Sequence, residues 1–389
     1  MHFMIRTVAL GVVAALGLGM SSARAADLDE IAAFALNICD AVNATGITIS
    51  SADHCMKFSG EFTYEKHFAW YGGGSFESDG YTSLDLLIEV MGDSDFGVTR
   101  GWIDLEFCLD TFNCYEVLGV QTENQLVIDE IGISIGNTTV LATGTGATIF
   151  NKDDDETLNH LLSVELDDYY GSVTANTGGV YVSLTHDLGN GWSVAKAVEC
   201  IDSCFDTSVP SLVGVVSYDN EGITGHLSVA FGTYGGGSWG FDALHAGFQA
   251  ELSAATIQGA FFFNEGGHWE ANASIKATLD IVELAGGFMV AATGNWVAIF
   301  SAQVEAGDFT IAKAFRFSEA GYWWFESEVS TDLSDTLSLA VGFEVEAAGD
   351  WELSKTLTWT PGGGYELEAS LALTDDGYIL ADSTVTLEF

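Results

Sequence analysis

Short runs in which apolar and polar residues alternate recur along the chain up to its last residue, Phe389. In the last run, Val385, Leu387 and Phe389 share one face and Thr384 and Thr386 the other, because strand side chains alternate. After the first 25 residues, no stretch approaches the about 18 apolar residues of a membrane-spanning helix. The pattern predicts an all-β chain, which is either a closed membrane barrel or a soluble β-sandwich, whose strands also alternate.

The first 25 residues have the layout of a secretory signal peptide. His2 and Arg6 precede an apolar run over residues 8–20, and the small-residue site Ala23-Arg24-Ala25 follows. The apolar run is shorter than the about 20 residues that a transmembrane anchor needs. We therefore predict a cleaved signal peptide at 1–25 and an exported chain.

The next segment, residues 26–54, is predicted to be an N-terminal periplasmic leader. Its acidic start and the spacing of Ile31, Phe34 and Ile38 fit a short helix, a disordered leader fits nearly as well, and a plug in the lumen is a further alternative. Residues 55–389 would then form the barrel domain.

Aromatic residues and the terminal Phe389 favour the membrane barrel over the sandwich. The chain has 45 Gly, 2 Pro, 12% aromatic residues and a mean hydropathy of +0.25, which is high for an exported soluble protein. Aromatic side chains stand beside strand ends, as in the girdles at the two membrane interfaces. These are Trp70, Tyr71, Tyr169, Tyr170, Trp192, Trp239, Trp323, Trp324 and Trp359.

The length of the chain sets the predicted size of the barrel. At about 23 residues for a strand and its connection, the exported chain is long enough for about sixteen antiparallel strands, and fourteen or eighteen also fit. We expect short periplasmic turns, longer extracellular loops and one loop folded inward to constrict the pore. A barrel of this width encloses an aqueous channel.

Strand parity predicts which charged residues face the lumen. In "LDLLIEV", for example, the leucines share one face and the acidic residues the other. A packed interior would not tolerate unpaired carboxylates, so this parity predicts a wet lumen. The predicted luminal positions are Asp85, Glu89, Arg100, Asp104, Glu106, Glu344, Glu346, Glu366 and Glu368.

The charge balance predicts a preference for cations. The chain has 11 Lys and Arg against 56 Asp and Glu, and a net charge of −45. A passage lined by one sign of charge concentrates counter-ions, and this charge repels nucleic acid. The densest acidic run is either a pore constriction or a solvated extracellular loop. Its candidate residues are Lys152, Asp153, Asp154, Asp155 and Glu156.

Six cysteines form three pairs that are close in the sequence: Cys39 and Cys55, Cys108 and Cys114, and Cys200 and Cys204. In an oxidising compartment such pairs are typical of local disulfides. Zinc is the alternative, but "ECIDSC" has no nearby His to complete four ligands. Disulfides are therefore expected, although the sequence does not establish their connectivity.

Several stretches resemble the porins of alphaproteobacteria. They are "CDAVNATGITISSADHCMKFSG", "LVIDEIGISIGNTTVLATGTGATIF", "VPSLVGVVSYDNEGITGHLSVAFG" and "TWTPGGGYELEASL". The resemblance implies a sixteen-stranded, trimeric general-diffusion porin whose third extracellular loop folds into the lumen. The end of the chain, with Val385, Leu387 and Phe389, looks like the signal that bacterial barrels present to their assembly machinery. The chain departs from the family in lacking Pro-Gly between its first two cysteines and in having few arginines.

The expected function is passive diffusion of ions and small hydrophilic solutes, with cations preferred, across the outer membrane of a Gram-negative bacterium. Outer-membrane lipid or lipopolysaccharide and two further copies of the chain are the expected partners. No enzyme, cofactor or metal site is expected, since H-E-x-x-H is absent. The alternative is a structural or adhesive barrel with a closed pore and acidic loops that bind divalent ions. A solute-specific channel is a third possibility.

Overall fold

Strands make up almost all of the chain that the structure, a computed structural model, describes. The described residues are 47–50, 54–71, 75–110, 116–117, 120–121, 125–144, 148–150, 179–200, 210–232 and 239–389. No helix in these ranges is long and apolar enough to cross a membrane. The strands are β1 Ile47–Ser50, β2 His54–Trp70, β3 Phe76–Gly92, β4 Thr99–Asp110, β5 Glu116–Val117, β6 Val120–Gln121, β7 Gln125–Ile135, β8 Thr138–Gly144, β9 Tyr181–Gly189, β10 Trp192–Glu199, β11 Ser211–Asn220, β12 Ile223–Gly232, β13 Gly240–Leu252, β14 Ala255–Asn264, β15 Trp269–Leu279, β16 Val282–Ala291, β17 Trp296–Ala306, β18 Phe309–Ser318, β19 Trp323–Ser334, β20 Leu337–Glu346, β21 Trp351–Gly362, β22 Tyr365–Thr374 and β23 Ile379–Glu388.

Each strand of the main sheet pairs antiparallel with the next, and β23 pairs with β2 to close the sheet. The predicted all-β, closed antiparallel barrel is therefore confirmed. Its strands are β2–β4 and β7–β23, so the barrel has 20 strands and the predicted sixteen is wrong. β5 and β6 pair only with each other.

The strand count was underestimated because both ends of the barrel have short turns. β21, β22 and β23 begin at Trp351, Tyr365 and Ile379, a much closer spacing than the 23 residues assumed. At one end the turns from β7 onward have two residues, as at Asn190–Gly191 and Glu221–Gly222, where positive φ angles fit a tight hairpin, and only the earlier β3–β4 connection, over residues 93–98, is longer among the described connections there. At the other end, from β14 onward, they have four residues. At this second end, the connections longer than four residues all precede β13. The prediction of long extracellular loops is therefore wrong for the C-terminal half of the barrel.

A repeated Gly-x-Trp sequence builds the four-residue turns. Gly267, Gly294, Gly321 and Gly349 are the third residues of their turns and have φ angles of 80°, 85°, 78° and 95°. The N–H of each donates a hydrogen bond to the carbonyl three residues earlier. The Trp two residues later begins the next strand, at Trp269, Trp296, Trp323 and Trp351. The repeat therefore places one tryptophan per hairpin at the same end of the barrel.

The C-terminus closes the barrel at Gly60. The backbone N–H of Gly60 donates to the Phe389 carbonyl and the Phe389 N–H donates to Gly60, both at 3.0 Å. β1, which lies within the predicted leader segment, continues on the same edge of β2 from Phe58 onward. The last residue is thus held in the sheet by backbone hydrogen bonds on the strand that begins the barrel.

Replacing Gly60 by Ala is expected to prevent closure of this seam. A Cβ at Gly60 would lie 2.1 Å from the Asp85 carbonyl oxygen, and the backbone cannot yield without breaking the β2–β3 ladder. We expect a loss of about 3 kcal/mol or more in the free energy of unfolding, measured by urea titration of protein refolded in detergent. Gly214→Ala is the matched control, since nothing lies within 4 Å of its Cβ. Equal stability of the two variants would contradict the account of the seam.

The two faces of the wall differ in chemistry. Large apolar side chains on the outward face are exposed, and among the predicted girdle residues Trp70, Trp192, Trp239, Trp323 and Trp359 belong to them. Trp324 does not, because it alternates with Trp323 and points inward, where it is only 7% exposed. Tyr169 and Tyr170 lie outside the described residues.

Candidate functional site

The inner surface of the barrel carries the predicted luminal residues. The structure places every one of the predicted strand positions on the inward face, opposite neighbours that also point inward. These are Asp85, Glu89, Arg100, Asp104, Glu106, Glu344, Glu346, Glu366 and Glu368. The candidates Lys152–Glu156 lie outside the described residues.

The register brings inward carboxylates into rows across neighbouring strands. Glu326, Glu344 and Glu352 lie directly opposite one another on β19, β20 and β21. A second row runs from β23 to β4 and consists of Glu388, Glu61, Asp85 and Glu106. Like charges that face each other across a ladder destabilise it, so these rows favour cations beside them. Alternation within one strand did not reveal the rows, because they depend on pairing between strands.

Basic side chains on the inward face already have partners. The Arg100 guanidinium donates to the Glu89 carboxylate from Nε at 2.7 Å, and Lys57 Nζ lies 3.7 Å from the same carboxylate. Arg100 also stands 4.8 Å over the Trp102 ring, and the Trp102 indole N–H donates to Glu130 at 2.6 Å. The positive charges of Lys57 and Arg100 are therefore offset by the Glu89 carboxylate on the neighbouring strand.

Two further inward basic residues, Lys276 and Arg316, have different neighbours. Lys276 forms an ion pair with Glu283, and the Arg316 guanidinium lies 5.7 Å over the Trp324 ring. Beside it, the Tyr322 hydroxyl in the β18–β19 turn donates to Glu346. Burial, followed by this hydrogen bond, raises the pKa of Tyr322. No arginine track for anions is present on the described part of the wall.

Between β11 and β19, the inward side of the wall carries two clusters of buried apolar side chains. One cluster of buried inward side chains spans β16–β19, and a second spans β11–β14. The first comprises Met289, Val297, Ile299, Ala314 and Trp324, and the second Val213, Val215, Ala230, Ala243 and Phe262. The inner surface thus combines carboxylate rows with two buried apolar clusters.

Three residues of the β8–β9 connection lie against the inward side of the wall, beside the β11–β14 cluster. Phe150, which is 3% exposed, packs in the β11–β14 cluster. Leu212 and Phe261, which stand next to the cluster residues Val213 and Phe262 in their strands, are exposed on the outward face, so the cluster lies on the inward face. The buried Glu199 carboxylate accepts hydrogen bonds from the Thr148 hydroxyl at 2.6 Å and the Ile149 N–H at 2.7 Å. We call Thr148–Phe150 the inner segment. It lies at the start of the connection for which an inward constriction was predicted.

A pair of histidines adjoins the inner segment. His226 Nε2 and His245 Nδ1 are 2.8 Å apart, and their rings stack at 5.0 Å. The Phe150 ring is 6.4 Å from that of His245. A hydrogen bond between two imidazoles needs one donor and one acceptor nitrogen, so one ring of the pair donates and the other accepts. Sequence reasoning missed this pair, because the two residues belong to different strands.

The described cysteines Cys55, Cys108 and Cys200 are disulfide-bonded, and none of them is a free thiol. Their predicted partners Cys39, Cys114 and Cys204 lie outside the described residues, so the three pairings stay predictions.

Other chemical motifs gain no support from the structure. Gly132–Gly136 has the spacing G-x-S-x-G, but it belongs to β7 and the following hairpin turn, whereas a nucleophile elbow joins a strand to a helix. Within the described residues, no group of three or more His, Cys, Asp or Glu could hold a metal ion.

Comparisons with known proteins give a likeness of fold. Pseudomonas aeruginosa OccK2 (OpdF), solved in complex with glucuronate, is 10% identical with a TM-score of 0.50, and the match covers 86% of this chain and 98% of that one. OccK8 (OprE) of the same bacterium is 11% identical with a TM-score of 0.49 and coverage of 86% and 98%. A mutant of the Rhodopseudomonas blastica porin is 11% identical with a TM-score of 0.43 and coverage of 86% and 100%.

The OccK2 likeness supports the general kind of barrel that the sequence predicts. No protein-family model and no curated protein sequence matches the chain. The narrower resemblance to alphaproteobacterial porins therefore stays a prediction.

Proposed function

We propose that the chain is a passive diffusion channel for ions and small hydrophilic solutes in the outer membrane of a Gram-negative bacterium, and that it prefers cations. The observation that carries this proposal is the segregation of charge across the wall. On the described strands in regular register, carboxylates point inward, while the outward face is mainly apolar, with some hydroxyl side chains and a few basic residues. An outward apolar band and a polar interior are what a membrane barrel with a wet lumen requires.

The preference for cations follows from the excess of inward carboxylates over inward basic side chains. Lys57 and Arg100 share Glu89, and Lys276 is paired with Glu283, so few positive charges remain to offset the carboxylate rows. A water-filled passage with low-dielectric walls and one sign of charge concentrates ions of the opposite sign. Glucuronate, the ligand in the OccK2 structure, is an anion, and this inner surface does not favour it.

The proposed membrane orientation follows from turn length. The two-residue turns, with the C-terminus, would lie on the periplasmic side, and the longer connections outside. A cleaved signal peptide at 1–25, a homotrimer, contact with lipopolysaccharide and recognition of Phe389 by the assembly machinery belong to the same proposal.

A planar bilayer under a KCl gradient tests the channel and its selectivity together. We expect stepwise currents whose reversal potential lies toward the K⁺ equilibrium potential. Steps that reverse toward the Cl⁻ equilibrium potential would keep the channel and contradict the cation preference. Folded, inserted protein that gives no steps would favour the alternative, a structural barrel with a closed pore.

A further inference from the structure

The outward face carries a lysine at the middle of three strands. Lys196, Lys313 and Lys355 are the fifth residues of β10, β18 and β21, and all three are exposed. The residues two positions before and after each lysine share its face and are apolar. They are Val194 and Val198, Ile311 and Phe315, and Leu353 and Leu357. Three ammonium groups therefore project from the centre of the apolar outer surface.

No carboxylate of the described chain meets these charges. Across the ladder, Lys196 lies between Leu184 and Gly214. Lys313 lies between Ala302 and Ser327, and Lys355 between Val341 and Leu371. The ion pairs of the described residues involve none of the three lysines. The other described lysines each have a partner within the chain, a carboxylate or an aromatic ring.

Two other lysines show the contrast. Outward Lys66 has the Phe68 ring 5.3 Å from its Nζ, and inward Lys276 has the Glu283 carboxylate. The environment outside the protein must therefore supply the partner of the three mid-strand lysines.

The described wall of a second copy of the chain does not supply that partner. Carboxylates on the described strands in regular register point into the barrel, so two walls in contact would set a lysine against apolar side chains or another lysine. A membrane does supply it, because its anionic lipids carry phosphate groups that attract basic side chains.

We propose that Lys196, Lys313 and Lys355 bind phosphate groups of anionic membrane lipids and thin the bilayer around them. The proposal rests on the membrane location proposed above. A lysine at mid-membrane is unfavourable in hydrocarbon, and the cost falls when its long side chain reaches toward the interface and the bilayer thins locally. Gly214 beside Lys196, and Ala302 and Ser327 beside Lys313, are small and leave room for a headgroup.

The test compares stability in two lipids. The full exported chain is refolded into vesicles of phosphatidylcholine alone and of phosphatidylcholine with phosphatidylglycerol, and unfolding is followed in urea. We expect the anionic lipid to raise the urea midpoint of the unchanged protein. The rise should be lost in the triple variant Lys196→Met/Lys313→Met/Lys355→Met and kept in the triple Lys→Arg variant, since guanidinium also binds phosphate.

A matched pair of single variants controls for net charge. Lys313→Met and Lys276→Met each remove one lysine, but only Lys313→Met should reduce the effect of phosphatidylglycerol. Native mass spectrometry should likewise show fewer retained phosphatidylglycerol molecules with each outward lysine removed.

Two results would overturn the proposal. If the triple Met substitution raised the urea midpoint by the same amount in both lipids, the rise with phosphatidylglycerol would be kept, and the lysines would be bare in hydrocarbon. If the unchanged protein formed an oligomer in both lipids and the triple Met variant did not, the lysines would contact protein and not lipid. The channel proposal is tested separately: it would be wrong if protein in vesicles showed the rise in urea midpoint with phosphatidylglycerol but passed no ions.

Discussion

Single-channel records of a Phe150→Ala variant are expected to show frequent partial closures in place of steady current. Phe150 is buried in the apolar cluster of β11–β14, and truncating a buried Phe to Ala typically costs 3–5 kcal/mol. A loss of that size shifts the attached and released states of the inner segment by more than a hundredfold. A released segment would enter the lumen beside the carboxylate rows. We expect at least a tenfold rise in closure frequency.

The Glu199→Ala variant should act in the same direction, because it removes both hydrogen bonds that hold Thr148 and Ile149. Phe263→Ala is the matched control, since Phe263 neighbours Phe262 on β14 but is exposed on the outward face. If the Phe150→Ala and Glu199→Ala variants closed no more often than the Phe263→Ala variant in single-channel recordings, the inner segment would not gate the current.

Neutralising the carboxylate row of β19–β21 is expected to reduce cation selectivity. In the variant Glu326→Gln/Glu344→Gln/Glu352→Gln, three adjacent inward charges are lost with little change in volume. A unit charge about 4 Å from an ion is worth about 1 kcal/mol in water, so the K⁺ to Cl⁻ permeability ratio should fall by about fivefold. The measurement is the reversal potential at low ionic strength, where screening is weakest.

The control removes the same number of charges away from the wall. Asp280, Asp308 and Asp335 lie in two-residue turns, and the variant Asp280→Asn/Asp308→Asn/Asp335→Asn has the same net charge as the Gln variant. If the two variants shifted the reversal potential equally, the charge of the whole molecule would set selectivity, and the row would have no special role.

The inward and outward faces were predictable from the sequence because strand alternation is local. Leu84, Leu86 and Ile88 point outward and Asp85 and Glu89 inward, as their order along β3 requires. No knowledge of neighbouring strands is needed for such an assignment. The same reasoning fails at adjacent aromatics, where Trp323 and Trp324 were both assigned to the girdle although alternation sends one inward.

Strand number was not predicted because it depends on connection length, which was taken as an average. The sequence does contain a better guide. Gly294, Gly321 and Gly349, each two residues before a Trp, mark successive turns at the same end of the barrel. The distance along the chain between successive Gly-x-Trp turns is the length of one hairpin, which contains two strands. Dividing the chain by this length would have indicated more than sixteen strands.

Contacts between strands were beyond local reasoning for a different reason. The Glu326–Glu344–Glu352 row and the His226–His245 pair depend on register, which turn length and bulges fix. A bulge between Ala230 and Phe231, for instance, changes which residues of β12 and β13 face each other. Inner-segment packing also joins residues far apart in the chain.

The Gly-x-Trp turns make the hairpin a unit of growth for this barrel. Each hairpin starts and ends at the same end of the barrel, and the inward and outward alternation of side chains continues unchanged into the next strand. A hairpin could therefore be duplicated or deleted without moving any neighbouring side chain to the other face of the wall. Barrel diameter rises with strand number, so each such event would widen or narrow the bore by one fixed increment. Relatives built this way would differ in calibre by whole hairpins, and their strand numbers would stay even.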